Sequence, residues 1–154
     1  MITQQKIDHI IQGFQKRTLP KTEWTHQAHL IVGLNFVMSA GLEASYALMR
    51  EGVKRYNLSV GTQNTDTGGY HESITIFFLH ALDGFRNQID TEQTLIELVK
   101  RFDGSLLMDE KFIFRFYSQE LLFSVDARRR SIEPDLQPLT DLSQIDFLRS
   151  DNRR

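Results

Sequence analysis

The chain has 154 residues, which is room for one domain of ordinary size. Its net charge of −2, with histidine neutral, argues against a nucleic-acid-binding protein, because such proteins carry a strong basic excess. The absence of cysteine excludes disulfides, thiolate catalysis and cysteine-ligated metals. No run of about 18 apolar residues is present, so we expect no membrane partner. The N-terminus lacks a signal-like pattern, and a cytoplasmic protein is therefore predicted.

The apolar pattern predicts an all-α fold. No proline lies between Pro20 and Pro134, which favours long helices over a turn-rich β fold. Apolar residues at helical spacing predict a single-domain bundle of about six helices, over residues 3–17, 25–39, 42–58, 70–87, 91–102 and 109–128. The helix over 70–87 is apolar nearly all round, so we expect it in the middle of the bundle.

Several boundaries in this scheme depend on individual residues. Thr25 is the expected N-cap of the second helix, with Thr22 as a rival, and Thr91 is the expected cap of the fifth. In the sixth helix, alternating phenylalanines at 112–116 favour a strand, but the following residues restore the helical period. Its terminal arginines, 128–130, are interpreted as a solvated helix end. Residues 131–154 contain two prolines and no period, so an extended tail is predicted there.

A candidate metal-binding motif lies at the start of the second helix, in the segment Trp24-Thr25-His26-Gln27-Ala28-His29. Residues three apart project from the same side of a helix, with Cβ atoms about 5–6 Å apart. The positive end of the helix dipole disfavours protonation there, so both imidazoles are biased towards the neutral form that metals bind. The spacing therefore predicts that the two rings converge on one ion.

A second motif, Gly68-Gly69-Tyr70-His71-Glu72, opens the fourth helix after the polar loop 60–69. If consecutive helices run up, down and up, the second and fourth helices begin at the same end of the bundle. We therefore predict that His26, His29 and His71 together bind a divalent transition metal, namely Zn, Fe or Ni, which imidazole ligands suit.

This site predicts a small metal-dependent enzyme that acts on a small-molecule substrate. Three protein ligands and one open position are typical of catalytic zinc, and Glu72 is the candidate general base on a metal-bound water, or a fourth ligand. Hydrolysis is the default reaction because it needs only an activated water. Asn64 and Asp66, in the preceding loop, are candidates for orienting an imidazole or binding the substrate.

Two alternatives of other classes stay open. The first is a helical small-molecule-binding module without metal, its pocket lined by Trp24, Tyr56 and Tyr70. Because Tyr56 lies on the inner seam of its helix, its hydroxyl then needs a hydrogen-bond partner. The second is an interaction protein that forms a homodimer through an apolar helix face. His80 lies half a turn from His71 and is interpreted as a satisfied histidine outside the site.

The segments WTHQAHL, RYN, NTDTGGYHESIT and FYSQELLFSVDAR resemble an uncharacterised group of small bacterial all-α proteins. The resemblance runs from about Leu19 to Pro138, which is most of the chain. It implies no reaction, because no activity is established for that group. The metal hypothesis therefore rests on residue spacing alone.

Overall fold

A computed structural model describes residues 1–148, and this part of the chain is all-helical without strands, as predicted. Five α-helices have eight or more residues and two are shorter. In chain order they are α1 Gln4–Lys16, α2 His26–Ala40, α3 Leu42–Ser59, α4 Glu72–Asn87, α5 Leu95–Phe102, α6 Gln119–Leu122 and α7 Val125–Arg129. Four 3-10 helices connect or follow them, at Lys21–Glu23, Leu106–Met108, Phe112–Arg115 and Leu139–Gln144.

Side-chain caps explain where the helices begin. Thr25, and not Thr22, caps α2, because its hydroxyl accepts the backbone N–H of Ala28. The fifth helix begins later than predicted, since Thr94 and Glu97 form a reciprocal capping box. Thr91 was therefore the wrong cap.

The second, third and fourth helices pack in the predicted up-down-up order, with α4 in the middle. The ring of His26 contacts Phe78, and further along α2 a Cβ on Gly33 would lie 3.1 Å from Leu82. Residue numbers therefore increase in the same direction along α2 and α4, so these two helices are parallel. The α3 helix runs the other way, because Tyr46 meets His80 while Arg50 meets Glu72. The starts of α2 and α4 therefore lie at one end of the bundle.

The single long helix predicted over 109–128 is wrong. The structure instead has the 3-10 helix Phe112–Arg115 followed by α6 and α7. The hydroxyls of Ser118 and Ser124 each accept a backbone N–H three residues ahead, so each begins a new short helix where a continuous one would have passed through. Four large residues of this segment are buried: Phe112, Ile113, Phe116 and Tyr117.

The C-terminal tail starts without regular structure, as predicted, and its later residues then pack into the core. The 3-10 helix Leu139–Gln144 packs on α4 and buries Leu142. Phe147 is fully buried, edge-on to Phe85 and Phe112. The part of the predicted tail at 149–154 lies outside the described residues.

Candidate functional site

The Trp24–His29 segment forms one wall of a cavity at the start of α2. Trp24 stacks on Phe14 with ring centroids 4.9 Å apart, and its ring lies tilted against that of His29 with centroids 3.8 Å apart. Because Thr25 caps the helix, His26 and His29 both lie in its first turn and face the same cavity. This part of the sequence prediction, two imidazoles on one side of a helix start, is confirmed.

His29 is a neutral imidazole with one ring nitrogen unused. Its Nδ1 lies 2.7 Å from the carbonyl oxygen of Thr25, which only accepts, so Nδ1 carries the proton. Burial lowers the pKa of His29 to about 4, although the hydrogen bond to Thr25 acts in the opposite direction. Nε2 therefore has a free lone pair at neutral pH, and no residue within 1–148 donates to it.

His26 is anchored in the same manner through its other nitrogen. Its Nε2 donates to the carbonyl oxygen of Leu107 at 2.7 Å, and its ring lies edge-on to Phe78 with centroids 5.1 Å apart. Over the described part of the chain, Nδ1 of His26 has no hydrogen-bond partner. Two imidazoles thus line one cavity, each fixed by a backbone carbonyl.

The cavity, called here the Trp24 cavity, has a volume of about 440 Å³, in the range of small-molecule sites. Its lining is mostly apolar, and Glu110 is the one acidic side chain that residues 1–148 contribute to it. The lining residues outside the motif are Leu30, Gly33, Met49, Ile74, Phe78, Leu79, Leu82 and Glu110.

His71 does not join these two histidines, although its helix begins at the same end of the bundle. It is the N-cap of α4, so its backbone is extended and helical periodicity does not set its direction. Its Nδ1 accepts the backbone N–H of Ile74 at 3.2 Å, and its Nε2 donates to the carbonyl oxygen of Leu122 at 2.7 Å. Burial, assisted by the positive charge of Arg128, lowers the pKa of His71. Both ring nitrogens are therefore engaged in holding the neutral side chain in place.

Glu72 is held in an ion pair and faces away from the Trp24 cavity. Arg50 donates two hydrogen bonds to its carboxylate, at 2.9 and 2.6 Å, and the Tyr70 hydroxyl donates a third at 2.6 Å. Burial acts to raise the pKa of Glu72, but these hydrogen bonds outweigh it and hold the pKa below its ordinary value. A carboxylate so stabilised in its charged form is a weak base.

The metal hypothesis required the three imidazoles to meet, and the structure does not bring them together. Within residues 1–148, no group of three His, Asp or Glu side chains is arranged to hold a metal ion. His71 stays apart from the other two histidines because both of its ring nitrogens are hydrogen-bonded to backbone groups. The predicted site of His26, His29 and His71 is thus not assembled within residues 1–148, whereas metal binding as such and the catalytic role of Glu72 stay predictions.

The remaining predicted site residues lie in two separate places. Tyr56 is fully buried behind Trp24, and its hydroxyl donates to the carbonyl oxygen of Leu19 at 2.8 Å, the partner that the sequence argument required. Asn64 holds the loop, because its side-chain oxygen accepts the Tyr70 backbone N–H at 3.0 Å. Asp66 forms an exposed ion pair with Arg129 at 3.0 Å. The pocket predicted from Trp24, Tyr56 and Tyr70 is thus not a single pocket.

Sequence reasoning missed a second cavity, of about 900 Å³, between α3, α4 and the tail. In it the Tyr46 hydroxyl lies 2.6 Å from Nε2 of His80, and burial lowers the pKa of His80. The expectation that His80 is satisfied outside the predicted site is confirmed. A signal was available in the spacing, since Tyr46 and Arg50 on α3, like Ile76 and His80 on α4, are four residues apart and share a helix face.

No protein-family model, curated protein or solved structure shows significant similarity to this chain. None of the helices within residues 1–148 combines the length and the apolar character needed to cross a bilayer. Functional inference therefore rests on the geometry of the cavities.

Proposed function

We propose that the protein binds a small aromatic molecule that carries a hydrogen-bond donor, in the Trp24 cavity. The observation that carries this proposal is the unused Nε2 lone pair of His29 in a cavity whose lining is mostly apolar. Apolar walls with a few oriented polar atoms are typical of small-molecule sites. An N–H or O–H of the ligand would supply the missing partner of Nε2.

The cavity walls favour a flat ligand. Trp24 and Phe78 present aromatic surfaces, and aromatic pairs contribute about 0.5–1.5 kcal/mol beyond the burial of area. His29 is held at a fixed angle by its bond to Thr25 and by its contact with Trp24. A preorganised acceptor of this kind costs little entropy when the ligand binds. The net charge of −2 likewise favours a small molecule over a nucleic acid.

Fluorescence of the single tryptophan tests the proposal, because Trp24 itself lines the cavity. The probes are para-cresol and para-xylene, which have nearly the same shape but differ in the hydroxyl donor. We expect para-cresol to bind about three- to tenfold more tightly, the value of one hydrogen bond to a neutral acceptor. H29F should abolish that preference, whereas H29Q, which keeps an acceptor, should retain part of it.

H71N is the matched control, because His71 lies outside the cavity and asparagine preserves an N-cap. It should leave the preference for para-cresol unchanged. Equal affinities for the two probes in the parent protein would contradict the role given to His29. Fluorescence that responds to neither probe would contradict the proposal that the cavity is a binding site.

The metal-dependent enzyme remains a second candidate, and one observation favours it in the same cavity. His26 and His29 each donate a ring N–H to a backbone carbonyl, the arrangement that usually orients a metal-ligating histidine. Elemental analysis and titration with Zn, Fe or Ni test it, again through Trp24. A bound metal that is lost in both H26A and H29A but kept in H71N would support a site made without His71. Less than about a tenth of an equivalent, with no uptake on titration, would leave the metal-free binding module.

A further inference from the structure

A cluster of cations surrounds a third cavity, of about 660 Å³, beside the loop before α4. Five basic and two acidic side chains line it: Arg50, Lys54, Arg128, Arg129, Arg130, Asp66 and Glu72. This local positive excess stands out in a chain whose net charge is −2. Arg128 and Arg129, at the end of α7, and its C-cap Arg130 line this cavity, and the exposed side chains of Arg129 and Arg130 agree with the solvated helix end that the sequence analysis expected.

Arg128 is fixed in an orientation that leaves one edge of its guanidinium unused. Its Nη1 donates to the carbonyl oxygens of Gly69 at 2.9 Å and of Tyr70 at 3.3 Å. The Nε and Nη2 groups, which form the opposite edge, have no partner within residues 1–148. That edge is the one that can bind two oxygens of a phosphate or carboxylate at once.

Among the cations that line this cavity, Lys54 is the second one that has no carboxylate partner within residues 1–148. Its ammonium lies 5.4 Å from the ring centroid of Tyr70, the residue whose carbonyl oxygen accepts from Arg128. Both of these lining cations thus contact Tyr70, Lys54 at its ring and Arg128 at its carbonyl oxygen. The other lining cations are neutralised, Arg50 by Glu72, Arg129 by Asp66 and Arg130 by Asp126.

We propose that this cavity binds the phosphoryl group of a small molecule, with Arg128 and Lys54 as the ligating side chains. A phosphate has enough oxygens to accept from the guanidinium edge and from the ammonium together, and its double charge matches two unpaired cations. The size of the cavity and the net negative charge of the chain favour a small ligand over a nucleic acid. This proposal is independent of the ligand in the Trp24 cavity.

Isothermal titration calorimetry on the full chain tests the proposal with inorganic phosphate, glycerol phosphate and acetate. We expect both phosphates to bind more tightly than acetate, and a higher affinity for glycerol phosphate would assign the site to an organic phosphate. R128Q and K54Q should each weaken phosphate binding about tenfold or more, since each removes a charge-assisted hydrogen bond. K16Q, which removes an exposed lysine of α1, should not change the affinity.

D66N should change the phosphate affinity in the opposite direction. Removing this carboxylate frees Arg129 and reduces repulsion of the anion, so phosphate should bind a few-fold more tightly. K54Q guards against a folding defect in R128Q, because the Lys54 ammonium lies over the Tyr70 ring whereas Arg128 holds the loop through two backbone carbonyls. Equal phosphate affinity in the parent, R128Q and K54Q would overturn the proposal. So would a dissociation constant above about 10 mM in the parent, which is too weak for a built site.

NMR separates this site from the Trp24 cavity. Phosphate should shift the backbone amide signals of Gly69 and Tyr70 and leave the Trp24 indole signal in place, whereas para-cresol should do the reverse. Phosphate-induced shifts confined to the Trp24 indole would overturn the assignment of the anion to Arg128 and Lys54.

Discussion

Two helix starts at the same end of this bundle carry histidine in or next to their first turn, and they use it differently. At α2, His29 gives one nitrogen to a backbone carbonyl and leaves the other facing a cavity. At α4, His71 gives one nitrogen to cap its own helix and the other to Leu122. Both imidazoles are neutral for the same reason, which is burial. What separates a candidate binding residue from a structural one is therefore the unused lone pair and not the pKa.

The same contrast extends to the neighbouring residues. Around His29 the partners are aromatic and apolar, and they enclose a space. Around His71 the partners are polar and already paired, as in the contacts of Glu72 with Arg50 and Tyr70. If this distinction is correct, substitutions at the α4 start should reduce stability without affecting the Trp24 cavity.

The largest effect is expected for Gly69→Ala, directly before Tyr70. Gly69 has a φ of 77°, and a Cβ there would lie 2.3 Å from the carbonyl oxygen of Gln63. Backbone strain and this clash together should lower the free energy of unfolding by about 3 kcal/mol, as measured by urea denaturation. Gly68→Ala is the matched control, since its nearest neighbour would be the Thr65 hydroxyl at 3.8 Å. A loss of similar size in both variants would contradict a specific requirement at position 69.

Glu72→Gln should have the next largest effect. The Glu72 side chain is only 11% exposed, and its loss of charge leaves the Arg50 guanidinium without its partner. Breaking such a pair from one side should lower the free energy of unfolding by about 2 kcal/mol, less than for a fully buried pair because Arg50 is 34% exposed. The Trp24 fluorescence response to para-cresol should be preserved. Unchanged stability would instead indicate a carboxylate kept for chemistry.

Glu51→Gln is the control for this experiment. Glu51 is an exposed carboxylate on α3 next to Arg50, and it makes no ion pair within residues 1–148. Its neutralisation should change stability by no more than about 0.5 kcal/mol.

Periodicity predicted the first five helices and their order correctly, apart from the later start of α5, because these helices follow from apolar residues at helical spacing. It placed the starts of α2 and α4 at one end, and the pair His26 and His29 on one side. It failed for His71, since an N-cap residue has an extended backbone and lies outside the helical repeat. It failed again over 109–128, where Ser118 and Ser124 compete locally with a continuous helix.

The unpredicted parts of the candidate sites depend on contacts between distant segments. Nothing in the spacing of the sequence relates Leu107 to His26, or Leu122 to His71, yet these carbonyls decide which ring nitrogens stay free. The same holds for Arg128, which meets the loop at Gly69 across 59 positions of the chain. The sequence predicted which histidines lie near helix starts and towards which end of the bundle those starts lie. It did not predict the hydrogen-bond partners of these side chains.

The smallest expected effect is on the pH dependence of stability, and it compares the histidines directly. Burial lowers the pKa of His29, His71 and His80 in the folded protein, so each is protonated to a greater extent in the unfolded chain, where the ordinary pKa is 6.5. The contribution of these neutral histidines to the free energy of unfolding is thus fully present above pH 6.5. It is lost as the pH falls towards the pKa of the folded protein, which for His29 is about 4. Each such proton should contribute a slope of up to about 1.4 kcal/mol per pH unit in this window.

H71N should reduce that slope by up to one proton, because asparagine keeps the cap and does not titrate. H29Q should reduce it likewise, and the two reductions should add, since the rings hold separate partners. Urea denaturation at pH values from 5 to 6.5 measures the slope, with Gln12→Asn on α1 as a control that should leave it unchanged. A slope unaltered in H71N would mean that His71 takes up protons equally in the folded and the unfolded protein, and the contrast between the two helix starts would then lie in their charge.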